Sequence, residues 1–218
     1  MMQHRELVGS PIANVGKDGF RERMRRITDS MLDEGALVTL NCRINGGRAP
    51  WFALRVWTGR EKVVEEALAM MGVRSLVPMR KGPDLRRRHR VIEGTMMPVI
   101  HGYVLVQMLQ QPEYLAGLQG LEHAIDVLGG CERPMRISDK EVSRFNALAL
   151  GGTYDSERPV DLLVTAGEPV WIKAGPFNNQ KCIVVTPNRK GRGDVVVAID
   201  FMGGEVPVTV PLALLRKL

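Results

Sequence analysis

Cysteine is scarce and unpaired in this sequence: Cys42, Cys131 and Cys182 stand far apart, with no Cys-x-x-Cys pair among them. That argues against a zinc ribbon and against a secreted disulfide scaffold, and a reducing cytoplasm is the expected home. Long apolar runs are missing too. Nowhere do about 18 apolar residues follow one another, so no membrane partner is expected; the first residues lack a basic-then-apolar export pattern. Catalytic signatures are equally absent: there is no GxxxxGK[ST] loop to cradle a triphosphate, no HExxH helix to hold zinc and no GxSxG elbow to expose a serine. The four histidines, His4, His89, His101 and His123, are scattered. The expectation is a protein that is not an enzyme, with no catalytic residue, no metal and no cofactor.

What the chain does have is an ordinary globular composition. Its 218 residues are 44% hydrophobic and 25% charged, enough to bury real cores in more than one unit. The net charge of +6 modestly favours polyanions at the surface.

Residues 1–49 read as an N-terminal extension, partly helical or disordered. Phe20, Met24, Ile27 and Met31 share one helical face, with Arg21, Arg23, Arg25 and Arg26 around them. Gly35 is expected to stop that helix, and the alternation from Ala36 to Asn45 hints at a strand. Two readings of the helix stand: an amphipathic element lying on the surface, or a basic helix touching nucleic acid or a partner protein.

Residues 50–150 read as a compact α+β domain. Trp51–Trp57 is a strand, and Thr58 with Glu61 has the spacing of a capping box before a helix carrying Val63, Val64, Ala67, Leu68 and Met71, ended by Gly72. Gly102–Met108 is apolar on both faces, the mark of a strand covered on both sides. Pro112 suits the first turn of a helix with Tyr114, Leu115 and Leu118, ended by Gly120. Ala124–Leu128 is a short strand. Ser138 with Glu141 gives a second capping box, opening a helix with Val142, Phe145 and Leu148 that Gly151-Gly152 closes.

Residues 151–165 have the polar, Gly/Pro-containing character of a linker that lets its neighbours move independently. Residues 166–218 are β-rich. Val170 and Ile172, then Ile183–Val185, Val195–Ile199 and Val206–Val210, are short β-branched runs between turns, fitting five strands closed into a small barrel. Gly191-Arg192-Gly193-Asp194 contains an Arg-Gly-Asp tripeptide, which a hairpin turn with two glycines explains.

The run from Gly167 to Phe177, ending Gly175-Pro176-Phe177, and the β segments behind it resemble the KOW module that ends the NusG family of transcription elongation and antitermination factors. Gly102-Tyr103-Val104-Leu105-Val106 is similar to a strand signature of that family's N-terminal domain, and the resemblance runs from about Trp51 to Leu218. It implies an antiparallel sheet flanked by helices, followed by an SH3-like KOW barrel. It also implies a factor that binds RNA polymerase and modulates pausing, termination or antitermination.

In such relatives an apolar depression around the tyrosine receives the clamp helices of the largest polymerase subunit, which places Tyr103, Ile100 and Leu105 here. The KOW loops would take a ribosomal protein or Rho through Phe177, Phe201 and Met202. Where the family carries a characteristic glycine this chain has Cys182, after Gln180 and Lys181, so a specialised paralog acting on particular operons is expected. Some specialised relatives refold this module into a helical hairpin; the Val, Ile, Thr and Pro content here argues for a constitutive barrel.

The stretch Arg80 to Arg90, with Arg80, Lys81, Arg86, Arg87, Arg88 and Arg90, is the strongest polyanion candidate. It reads either as a solvated loop or as a contact to upstream DNA or the non-template strand. An alternative function from another class is an RNA-binding, ribosome-associated KOW protein.

Overall fold

The computed structural model describes residues 17–87, 90–188, 191–201 and 204–217. The described residues begin with α1 (Lys17–Ile44), β1 (Trp51–Val56), α2 (Glu61–Met70) and β2 (Arg74–Leu76). Two small hairpins follow, one nested in the other: β3 (Met79–Lys81) pairs with β6 (Met96–Pro98), and β4 (Leu85–Arg87) with β5 (Arg90–Ile92). Then come β7 (Tyr103–Gln107), α3 (Pro112–Gln119), β8 (Ala124–Val127) and α4 (Asp139–Leu150). The four longer-range strands form an antiparallel sheet in the order β2-β7-β1-β8.

Strand alternation gives this sheet two apolar faces. Phe52, Leu54 and Val56 of β1, with Val104 and Val106 of β7, point into a cluster closed by Val64 and Leu68 of α2, Leu32 and Ala36 of α1, and Leu115 and Leu118 of α3. Trp51 and Ala53, with Tyr103 and Leu105, point the other way.

α1 departs from the sequence reading. It is one helix of 28 residues that passes through Gly35, and Ala36–Ile44, read as a strand, continues it. The physical reason is close packing on α3. A Cβ at Gly35 would lie 2.9 Å from Cγ of Tyr114, and one at Gly120 would lie 2.3 Å from Oγ1 of Thr28. Gly35 permits helix approach instead of ending a helix, while Gly120 both caps α3, as expected, and lets Thr28 come close. Thr39 then fixes the pair by accepting from the N–H of Leu109 at 3.0 Å. The first turns project beyond this contact, and Phe20 is 61% exposed.

A second departure concerns Thr58 and Glu61. The N-cap of α2 is Arg60, with no side-chain cap hydrogen bond. The buried Glu61 carboxylate instead accepts from the N–H of Gly102 at 2.7 Å, tying α2 to the turn before β7. By contrast Ser138 and Glu141 do form a capping box at α4, and Pro112 does open α3.

The C-terminal module contains β9 (Pro169–Ile172), β10 (Lys181–Thr186), β11 (Asp194–Phe201), β12 (Gly204–Pro211) and, after a short 3-10 turn, β13 (Leu215–Lys217). They form one five-stranded sheet in the order β12-β11-β10-β9-β13. The segment is built of strands, without a helical hairpin among the described residues. Gly191 and Gly193 take φ of 64° and 85° at the turn before β11. The segment 151–168 lacks helix and strand, yet Tyr154, Ser156 and Val164 are buried, so it is packed down and does not hang free between its neighbours.

Candidate functional site

The second apolar face of the four-stranded sheet is where the two halves of the molecule meet. β7 lies between β2 and β1, and Tyr103 sits at its first position, paired with Arg55. Phe177, from the loop between β9 and β10, meets the Tyr103 ring edge-on, with centroids 5.1 Å apart and planes at 90°. That geometry sets the positive edge of one ring on the negative face of the other. Tyr103 is left 7% exposed and Phe177 1%. Burial raises the Tyr103 phenol above its ordinary pKa, and the nearby Arg55 charge partly opposes the shift.

The loop carrying Phe177 comes close because of Gly175. Its φ is 85°, and a Cβ there would lie 3.1 Å from Cζ of Phe145 and 3.3 Å from Cδ1 of Ile100. Next to it Asn178 donates to Glu141 of α4 at 2.8 Å. That bond is the main cause holding the Glu141 carboxyl below its ordinary pKa; burial opposes it, and the hydrogen bonds from Ser138 add to it.

A second set of contacts is polar. Arg80 on β3 is 1% exposed, and its guanidinium reaches Asp194 of β11 at 2.7 Å, the Ser156 hydroxyl at 2.9 Å and the Tyr154 carbonyl at 3.2 Å. Nε of Arg80 and Oδ1 of Asp194 are buried with no hydrogen-bond partner. The segment 151–168 is stitched to both sides. Asp155 accepts from the N–H of Lys81 at 2.9 Å and Glu157 pairs with Arg192 at 2.7 Å, while the N–H of Val160 donates to the Gly191 carbonyl at 2.7 Å. Both charges of the Arg-Gly-Asp tripeptide are therefore engaged inside the molecule.

The residues singled out from sequence fall as follows. Ile100, Tyr103 and Leu105 are brought together on one buried face, and Phe177, assigned from sequence to a different partner surface, covers it. Arg80 is split from the rest of its basic stretch: it faces Asp194 and not solvent. Lys81 is half-buried, near Asp84 at 4.0 Å and Glu93 at 3.5 Å, and Arg90 is exposed. For Arg86, Arg87 and Phe201 the backbone alone is described, in β4 and β11; Arg88 and Met202 lie outside the described residues. Sequence reasoning missed Gly175, Asn178 and Asp194 as contact residues. The Gly-Pro-Phe turn is visible in the sequence, but nothing local tells which distant surface it meets.

Cys182 is buried in β10, its thiol 3.5 Å from the Val170 carbonyl, and burial pushes its pKa up to about 11. All three cysteines are free. Among the described residues no cluster of metal-ligating side chains occurs, and no helix is long and apolar enough to cross a membrane.

Comparison with known proteins places this geometry. The family model described as transcription termination factor nusG matches residues 49–146, which hold the whole four-stranded sheet and the start of α4. Transcription termination/antitermination protein NusG of Staphylococcus aureus, in strains Mu50 and N315, is 25% identical over 182 residues, covering 79% of this chain and 97% of the relative. Among solved structures, one described as domain interaction in Thermotoga maritima NusG is 21% identical, with a TM-score of 0.38, over 78% of this chain and 98% of that one. An MjSpt4:Spt5 complex is 16% identical, with a TM-score of 0.25, over 77% and 97%. Residues 49–146 thus resemble the NusG family model, and the chain is similar to NusG proteins over 79% of its length.

Proposed function

We propose that this protein is a transcription elongation factor that binds RNA polymerase through the face around Ile100, Tyr103 and Leu105, and that the docked arrangement of its two halves is its closed form. The observation that carries this reading is the cover on that face: Phe177 of the C-terminal module meets the Tyr103 ring edge-on, in a cluster that also holds Val142, Phe145 and Ala149 of α4. An apolar face that becomes free when a separate module moves is a suitable seat for a partner. The partner is the helix pair of the polymerase clamp, and the factor acts by binding, with no catalytic step.

On this reading polymerase competes with Phe177 for the same surface. Apparent affinity scales with the fraction of molecules that are open, so anything that opens the chain strengthens binding. Once released, the module is a KOW barrel whose Phe177 loop is available to a ribosomal protein or Rho. Cys182 at the start of β10, after Gln180 and Lys181, where the family carries a glycine, supports a specialised paralog working on particular operons. The basic stretch of Arg86, Arg87, Arg88 and Arg90 contacts upstream DNA or the non-template strand.

Crosslinking the full chain inside a transcribing polymerase complex tests this. The expected result is adducts from the Tyr103 face to the largest subunit, reduced at least tenfold in Tyr103→Ala. Capture of ribosomal RNA and ribosomal proteins without polymerase would overturn it.

A further inference from the structure

At the other end of the β1–β7 pair from Tyr103 lies an open basin of about 950 Å³. Tyr103 is paired with Arg55, whereas the basin begins where Trp51 pairs with Gln107, four residues or roughly 13 Å along the strand. Five cations line it from separate parts of the chain: Arg43 from the last turn of α1, Arg48 from the connector to β1, Arg74 from β2, Arg136 from the segment before α4, and Lys140 from the first turn of α4.

Among the described residues none of these five is in an ion pair. The two carboxylates of the lining are engaged elsewhere: Asp139 accepts from the Trp51 indole N–H at 2.9 Å, and Glu141 from Ser138 and Asn178. Two of the cations are held by neutral groups that leave their charge intact. Arg74 stacks over the Trp51 ring at 5.1 Å and donates to Gln107 at 3.0 Å, and Arg136 donates to Gln110. Asp139 and Glu141 keep their charges as well, so five cations against two carboxylates leave the concave surface net positive, a potential that a polyanion relieves.

We infer that this basin is a nucleic-acid site that takes the phosphate backbone without reading sequence. All five side chains are exposed, no exposed aromatic ring in the lining offers a platform for a base, and no buried donor points inward to select a shape. What remains is phosphate neutralisation by guanidinium forks, four arginines to one lysine. This surface is separate from the polymerase-facing residues and from the β4–β5 hairpin, so it stands or falls apart from the proposed polymerase binding.

The test is fluorescence anisotropy of the full chain with a labelled duplex of about 20 base pairs, across roughly 50–200 mM salt. Arg43→Ala/Arg48→Ala/Arg136→Ala changes three exposed residues, and an unchanged melting temperature would certify the fold. The slope of log affinity against log salt is expected to fall in magnitude by about 2 to 3, close to 0.9 for each phosphate no longer neutralised, with affinity at the lowest salt down at least tenfold. Wild-type slope and affinity in the triple variant would overturn the inference, including the case in which Arg90→Ala alone weakens binding. So would full competition by micromolar tripolyphosphate with wild type while the triple variant still binds the duplex normally, since that marks a small-anion pocket.

Discussion

The two faces of the four-stranded sheet are closed in different ways. On one face α1, α2 and α3 bring Leu32, Leu68, Leu115 and Leu118 onto Phe52 and Leu54, and Gly35, Gly117 and Gly120 let the helices approach. On the other, Val142 and Phe145 of α4 share the cover with a separate module, which supplies Phe177 against Tyr103 and Asp194 against the buried Arg80. The first face is a core. The second is an interface between units, of the kind expected to open and close. A buried ion pair with two orphaned atoms contributes little net stability, because desolvation offsets the attraction, but it fixes one relative placement.

Substitutions can break this contrast, starting with the largest effect. Phe177→Ala should weaken docking by about 3 to 5 kcal/mol, the usual cost of removing a buried phenyl ring. Limited proteolysis within residues 151–168 should then accelerate while the four-stranded layer stays folded; a single cooperative loss of both units would mean that they share one core. Leu118→Ala, on the helical face, is expected to cost about 2 to 5 kcal/mol in denaturant melts, with proteolysis of the same segment unchanged below the unfolding midpoint.

Asp194→Ala leaves the Arg80 charge buried without its partner. Because the carboxylate is partly open to solvent, about 2 to 3 kcal/mol is expected, at the low end for a broken buried pair. The loss should appear as undocking, with stronger polymerase capture, and Arg80→Met should restore much of the closed form.

Alkali offers a subtler probe. Burial pushes the Tyr154 phenol up to about 12 from its ordinary 10, against a smaller opposing effect of Arg144. The folded state therefore favours the neutral ring, so this contribution is complete below pH 10 and disappears as pH rises through 12. Cys182 adds the same behaviour between 9 and about 11. The unfolding free energy from denaturant melts should fall from pH 8 to pH 11, by on the order of 2 kcal/mol, and that of Tyr154→Phe should fall less. Smallest is Ser138→Ala, about 1 kcal/mol from the lost cap, read as a lower melting temperature.

Legibility followed the range of the interaction. Pro112, the Ser138–Glu141 box and the β-branched runs of the C-terminal module were readable because each signal lies within a few residues of its effect. Gly35 and Glu61 misled because their partners are distant: Tyr114 accepts the close approach of one, and the Gly102 amide takes the carboxylate of the other. The basic stretch around residue 80 looked uniform in sequence. Only the return of β11 makes Arg80 different from Arg90.

The sequence by itself determined α2, α3, α4, β1, β7, β8 and the β-branched strands of the C-terminal module, with the two-sided character of β7, since hydrophobic period and turn residues act locally. Tertiary structure alone decided that Phe177 lies on Tyr103, that Arg80 meets Asp194, and that five separated cations share one basin. Those outcomes depend on how distant surfaces fit and on where charge loses its water, and neither is written in the spacing of neighbouring residues.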